Sequence, residues 1–368
     1  MNLYEYMGKQ IFSKFGIPVP EGYVIHGPEE VRSMDKDVVV KSQILIGGRG
    51  KAGGIKFASN IDEARAAAST LLGTKIRGYS VNTLLVEEKL SIAKEYYVSI
   101  SLNRTERKPL VMASVAGGVE IESVDPKKIA TRIIDPLTGY SDYVGRELTG
   151  QLGLVPEEAS QFRNFLKRLY EVFEAEDCEL VEINPLVVTS SGKMVAADAK
   201  VVIDTDSLFK HTEYNVTDPE KTTLELEAQG KGYSFVEMDG DIGVIANGAG
   251  LTMATLDALT LHRGKPRNFL DLGGTDSVDT VVNAFELVMK ANPKVILVNI
   301  FGGVTKCDTV ATGITTAKTR LSIGKPIVVR LSGVREVEGR EILQKDGIQA
   351  FSQMMPAIEA VVKAAGVN

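Results

Sequence analysis

Cys178-Glu-Leu-Val-Glu-Ile-Asn-Pro-Leu-Val-Val-Thr-Ser-Ser-Gly-Lys-Met-Val-Ala-Ala-Asp-Ala-Lys200 reads as a β-hairpin with polar groups where a purely structural hairpin would have none. Leu180, Glu182 and Asn184 alternate with Val181 and Ile183, so Glu182 and Asn184 share one face of the first strand. With the turn at Ser190-Ser191-Gly192, where glycine supplies a positive φ, a symmetric register sets Asn184 opposite Asp198 and Glu182 opposite Lys200. An amide oxygen facing a carboxylate suits a hard cation such as Mg²⁺, which shares its other positions with water and phosphate oxygens. The alternative is a solvated face of a two-sided sheet.

Upstream, Val38-Val-Val40 forms a strand ending in Lys41, and Gln43 to Gly54 follows as a glycine-rich loop. Gly47, Gly48, Gly50, Gly53 and Gly54 let backbone amides approach phosphates, while Arg49 and Lys51 add charge. The Gly-x-x-x-x-Gly-Lys-Ser/Thr spacing is absent, which disfavours a P-loop fold and leaves a flexible basic hairpin tip as the rival reading. Leu84-Leu-Val-Glu87-Glu88 reads as a strand emerging into a hinge, with Glu95 on the next segment. Such a strand can pack an adenine and bond its amine or a ribose, although a single carboxylate is more often a solvated surface group. From Asp241 the style becomes strand, glycine loop, helix, repeated: Ile242–Ala246 into Asn247-Gly-Ala-Gly, Asn268-Phe-Leu into Leu272-Gly-Gly-Thr, Val295–Ile300 into Phe301-Gly-Gly-Val-Thr. That alternation predicts a doubly wound parallel sheet whose binding edge lies at the strand C-termini.

The 368 residues suffice for two domains, divided as 1–234 and 235–368, with the charged stretch Asp204 to Ser234 as connector. Asn2 followed by Glu5 predicts a capping box on a first helix that Gly16 ends. A formal charge of −6 argues against nucleic acid as the main partner. Two cysteines, Cys178 and Cys307, form no disulfide framework, and no leader or membrane-length apolar run is evident, so a cytoplasmic protein is expected, with no membrane partner. The three histidines, His26, His211 and His262, avoid the glycine loops, which leaves triad hydrolysis and zinc chemistry with little support.

Taken in order, the Lys41–Gly54 loop, the hinge at Glu87, Glu182-Ile-Asn-Pro185 and Asp198 make the chain resemble the β subunits of succinate–CoA ligase. Gly117-Gly-Val-Glu-Ile-Glu, Asp135-Pro-Leu-Thr-Gly, Asn247-Gly-Ala-Gly-Leu, Asn268-Phe-Leu-Asp and Asn299-Ile-Phe-Gly-Gly extend the resemblance from Met1 into the last helix. It implies an ATP-grasp domain followed by a flavodoxin-like domain, and a tricarboxylic acid cycle ligase that interconverts succinate, CoA and ATP with succinyl-CoA, ADP and phosphate. The route it implies runs through succinyl phosphate and a phosphohistidine on a partner α subunit, which also carries most of the CoA site. By the same resemblance Lys41, Gly48, Arg49, Gly50, Glu87, Leu90 and Glu95 contact nucleotide, Leu90 through its backbone. Asn184 and Asp198 ligate one Mg²⁺ per subunit, Glu182 holds the incoming phosphohistidine, and Asn247 with Gly303-Val304-Thr305 contacts the succinate carboxylates. Pro20 is associated with ATP rather than GTP. Gly273-Gly274-Thr275-Asp276 departs from the longer glycine run at the helix start that faces the phosphohistidine. A malate–CoA ligase β subunit and a non-catalytic nucleotide-sensing subunit are the alternatives.

Overall fold

The computed structural model describes residues 1–32, 35–45, 48–214, 216 and 221–366, so the expectation placed on Gly47 lies outside the described residues. Contacts divide the chain into two compact units, Met1–Pro219 and Glu220–Asn368.

The first unit begins with α1 (Glu5–Lys14), β1 (Gly22–Ile25), β2 (Val38–Ser42), β3 (Ile55–Ala58) and α2 (Ile61–Leu71). The short pair β4 (Lys75–Ile76) and β5 (Tyr79–Ser80) precedes β6 (Leu84–Glu88), β7 (Ile92–Asn103), β8 (Lys108–Ser114) and β9 (Ile129–Ile133). Helices α3 (Asp142–Gln151) and α4 (Pro156–Ala175) lead into β10 (Cys178–Thr189), β11 (Met194–Ala196) and β12 (Lys200–Ile203). One antiparallel sheet runs β1-β6-β2-β3, and a second runs β11-β10-β7-β8-β9 with β12 also on β10. In the small sheet Val38, Val40, Leu84 and Val86 face α2, where they form an apolar core with Ala64 and Ala68. Strand alternation therefore turns Val39, Lys41, Leu85 and Glu87 to the opposite face. The 20-residue α4 buries Phe162, Phe165, Leu166, Leu169 and Tyr170, a three-to-four spacing, in the core shared with the large sheet.

The first helix is not opened by the expected capping box. Asn2 instead bridges Val202, Tyr4 stands at the N-cap position but its side chain does not cap the helix, and the Glu5 carboxylate turns inward. Gly16, at φ +71°, follows its end as expected.

The second unit contains α5 (Thr223–Gly230), β13 (Ser234–Glu237), β14 (Ile242–Ala246), α6 (Ala249–Leu261), β15 (Asn268–Asp271), α7 (Val278–Lys290) and β16 (Val295–Gly302). It closes with α8 (Cys307–Arg320), β17 (Ile327–Gly333), α9 (Glu336–Lys345), β18 (Gln349–Phe351) and α10 (Met354–Ala364). The sheet order is β13-β15-β14-β16-β17-β18, parallel except for the antiparallel edge strand β13, which the alternating pattern did not announce. Central β16 is buried on both faces. Ile296, Val298 and Ile300 enter one core with α7 and α8, while Val295 and Leu297 enter another with α6 and α10.

Candidate functional site

In the first unit a cavity of about 400 Å³ is lined by the polar face of the small sheet, the glycine loop, the hinge and the β10 hairpin. The hairpin has the expected register. Glu182 pairs with Lys200 and Leu186 with Ala196, which brackets Asn184 opposite Asp198, and Gly192 turns the chain at φ +79°. The β10–β7 register shifts between Ile183 and Leu186, at the cis Asn184-Pro185 bond.

Six of the seven residues assigned to nucleotide by resemblance, Lys41, Gly48, Arg49, Gly50, Glu87 and Leu90, line this cavity, as do Asn184, Asp198 and Glu182. Glu95 does not line it; it is exposed on β7, and its carboxylate lies against Gly118, which does. Pro20 is buried away from the lining.

The cations are pre-engaged. Lys41 donates to Glu5 Oε1 at 3.0 Å, to the Ala197 carbonyl at 2.8 Å and to Glu87. Arg49 reaches Glu5 Oε2 at 2.8 Å, the Ser42 carbonyl at 3.1 Å and Asp198 Oδ1 at 3.0 Å. Lys9 bonds Glu5 at 2.9 Å, Glu87 at 2.5 Å and Ala197 O at 2.9 Å. Burial alone would push the Glu5 carboxyl up, but Arg49, Lys41 and Lys9 together hold it well below the usual range. Burial likewise opposes the charge on Lys41, and Glu5, Glu87 and Asp198 more than offset it. Glu5, Lys41 and Arg49 therefore stay ionised.

Asn184 accepts from the Gly118 N–H at 2.8 Å and donates to the Val119 carbonyl at 2.9 Å, with Gly118 at φ +70°. One lone pair remains on its Oδ1. The Arg49 and Ala199 donors both fall on Asp198 Oδ1, which leaves Oδ2. Two hard oxygens on facing positions fit Mg²⁺. Glu182 Oε2 lies 2.9 Å from the Tyr97 hydroxyl, whose pKa burial and that carboxylate push up, so Tyr97 keeps its proton and donates it. Periodicity could not reveal Glu5, Lys9 or Tyr97 as part of the site, because their partners are remote in sequence. Neither histidine of the first unit lines the cavity: His26 is exposed and His211 bonds Asp177 at 2.9 Å; in the second unit His262 bonds Ala258 O at 2.9 Å.

In the second unit the loops after β14, β15 and β16 meet at the C-terminal sheet edge. Asn247 exchanges two 2.9 Å bonds with the Phe301 backbone, and Asp271 Oδ1 accepts from Gly248 and Gly273 N–H at 2.5 and 2.7 Å. Gly303 donates to Thr305 O at 3.1 Å, Thr275 donates to Thr305 Oγ1 at 3.0 Å, and Val304 is exposed. Helix α7 begins later than the glycine run, capped by Ser277. Asp276 instead pairs with Lys306 and accepts from Thr309 at 2.7 Å, so its charge is neutralised rather than aimed along the helix.

The chain matches the ATP-grasp domain family over residues 2–188 and the CoA-ligase family over residues 245–364. A "Succinate--CoA ligase [ADP-forming] subunit beta" of Desulfurococcus amylolyticus is 43% identical, covering 99% of this chain and 98% of the relative. A "Succinate--CoA ligase [GDP-forming] subunit beta" of Thermus thermophilus is 41% identical, covering 100% and 99%. ATP citrate lyase from Methanothrix soehngenii, solved with citrate and coenzyme A, shares the fold at a TM-score of 0.77 and 18% identity, covering 99% of each chain.

Proposed function

The chain belongs to the family of succinate–CoA ligase β subunits, and from that premise we propose that it binds Mg²⁺·ATP or ADP in the first unit and succinate at the loop cluster of the second. The observation that carries this reading is the cavity wall: Lys41 and Arg49 beside the oxygen pair Asn184 and Asp198, with Glu182 adjacent and neither His26 nor His211 among the lining residues.

Adenine packs among Phe57, Leu90 and Ile92, while Lys41, Arg49 and the backbone from Gly48 to Gly50 receive the phosphates. Asn184 and Asp198 hold one Mg²⁺, which when bound supplies positive charge against the moving phosphoryl group. Glu182, oriented by the Tyr97 hydroxyl, accepts an N–H from the imidazole of a partner subunit, and so presents the opposite ring nitrogen to phosphorus. The γ-phosphoryl passes to that histidine of a partner α subunit and ADP leaves. A succinate oxygen then takes the phosphoryl group as succinyl phosphate, and the CoA thiol displaces phosphate to give succinyl-CoA. Asn247 and the Gly303-Val304-Thr305 backbone hold the dicarboxylate. Glu95 acts on the nucleotide side only through the Gly118 loop that it supports. A cytoplasmic setting accords with the two buried, free cysteines, and among the described residues no helix is long and apolar enough to cross a membrane.

Substrate profiling of the chain reconstituted with its partner tests the proposal. Succinate with ATP should give the highest kcat/KM. Preference for malate, or for GTP, would overturn the corresponding half, and a complex that binds nucleotide without turnover would favour a sensing subunit.

A further inference from the structure

Glu5 and Lys9 come from a helix that the nucleotide reading leaves without a role, yet they form the centre of the cation cluster. Four residues apart, they share one face of α1. That face lies close to the strand after Asp198: a Cβ on Gly8 would stand 3.1 Å from that of Ala199, and Leu3 N–H donates to Val201 O at 3.0 Å. Glu5, only 2% exposed, is the carboxylate common to Lys9, Lys41 and Arg49. Lys9 bonds the same three groups as Lys41: Glu5, Glu87 and the Ala197 carbonyl. Such a cluster is a poor stabiliser, since apolar packing of equal volume would serve folding as well. Its place on the cavity wall indicates another use. With its three N–H donors engaged, Lys41 must give one up to reach a phosphate, and the acceptor it abandons would be left buried and unpaired unless another cation already held it.

We propose that Glu5 and Lys9 are positioning residues of the nucleotide site: Glu5 aims Lys41 and Arg49 at the phosphates, and Lys9 keeps their shared acceptors neutralised when Lys41 turns to the ligand. This rests on the nucleotide reading of the cavity. It assigns the two residues different effects, one on binding and one on turnover. Without Lys9, the carboxylates hold Lys41 back, so Lys9→Met weakens Mg²⁺·ATP binding about tenfold and leaves adenosine, which has no phosphate, within about twofold. Without the Glu5 charge, the cations are freed but misdirected, so Glu5→Gln lowers kcat about tenfold or more without raising the KM for ATP.

Calorimetric titration of the full chain with Mg²⁺·ATP and with adenosine, and steady-state kinetics of the chain reconstituted with its partner, read both effects. Parallel loss of ATP and adenosine affinity in both variants would reveal a merely structural role and overturn the proposal, as would wild-type values throughout while Lys41→Ala loses ATP. If Lys41→Ala also binds ATP normally, the nucleotide reading itself falls and the proposal with it. Should Glu5→Gln not fold, Glu5→Asp keeps the charge but withdraws it by one methylene, and must show the same fall in kcat without a rise in KM; unchanged kcat there overturns the proposal.

Discussion

Lys41, 9% exposed and engaged by Glu5, Glu87 and Ala197, is both an element of the fold and the cation that faces the cavity. Its removal should therefore cost nucleotide binding and transfer together: Lys41→Ala is expected to lower kcat/KM for ATP by about 10²–10³-fold in the reconstituted enzyme. Wild-type kinetics would move the phosphate site elsewhere. Asp198 is half-buried and carries no core packing, so Asp198→Ala should nearly abolish phosphoryl transfer at saturating Mg²⁺·ATP while circular dichroism stays native. Asn247 ties the loop after β14 to the end of β16 at the C-terminal sheet edge of the second unit, and Asn247→Leu should raise the KM for succinate while ATP–ADP exchange with the partner persists. The reverse pattern would place Asn247 at the nucleotide. Lys41 and Asn184 were legible because a period of two exposes a polar residue on an apolar strand, and Asp198 because the turn at Gly192 sets it opposite Asn184. Glu5 was legible only as a helix cap, a misreading, because nothing local distinguishes a capping carboxylate from one turned toward Lys41, 36 positions away.

Among the elements, the β10 hairpin was readable to its register, since glycine at the turn and the alternation from Leu180 to Asn184 leave one solution that keeps Val181 and Ile183 buried. The antiparallel edge strand β13 was not, because a short half-exposed strand carries no mark of its direction. Helix α1 shows its role in its pH dependence. The Glu5 carboxyl titrates well below its usual value of 4.5: burial opposes this, but Arg49, Lys41 and Lys9 outweigh it. The stabilisation it supplies is therefore complete above that usual value and disappears as pH falls through the lower folded value. Denaturant melts across the acid range should show a flatter acid limb in Glu5→Gln than in the wild type; superimposable limbs would contradict the assigned ionisation. At the other sheet edge, Asp276 ties Lys306 and Thr309 to the loop before α7. Asp276→Ala should raise the KM for succinate several-fold with the KM for ATP unchanged.

At the scale of the molecule, two units with separate cores divide the chemistry: cations, hard oxygens and Glu182 in one, and a cluster of pinned loops in the other. Within the first unit neither His26 nor His211 lines the cavity, which fits the proposal that the nitrogen acceptor for a phosphoryl group comes from a partner. The central claim is that the chain prepares ATP for a nucleophile carried by another subunit. Incubation of the chain with its partner, Mg²⁺ and ATP labelled at the γ-phosphate tests it most directly. Acid-labile, base-stable label should appear on a histidine of the partner and none on this chain, whereas label on His26, His211 or His262, or full ligase activity from the chain alone, would contradict it.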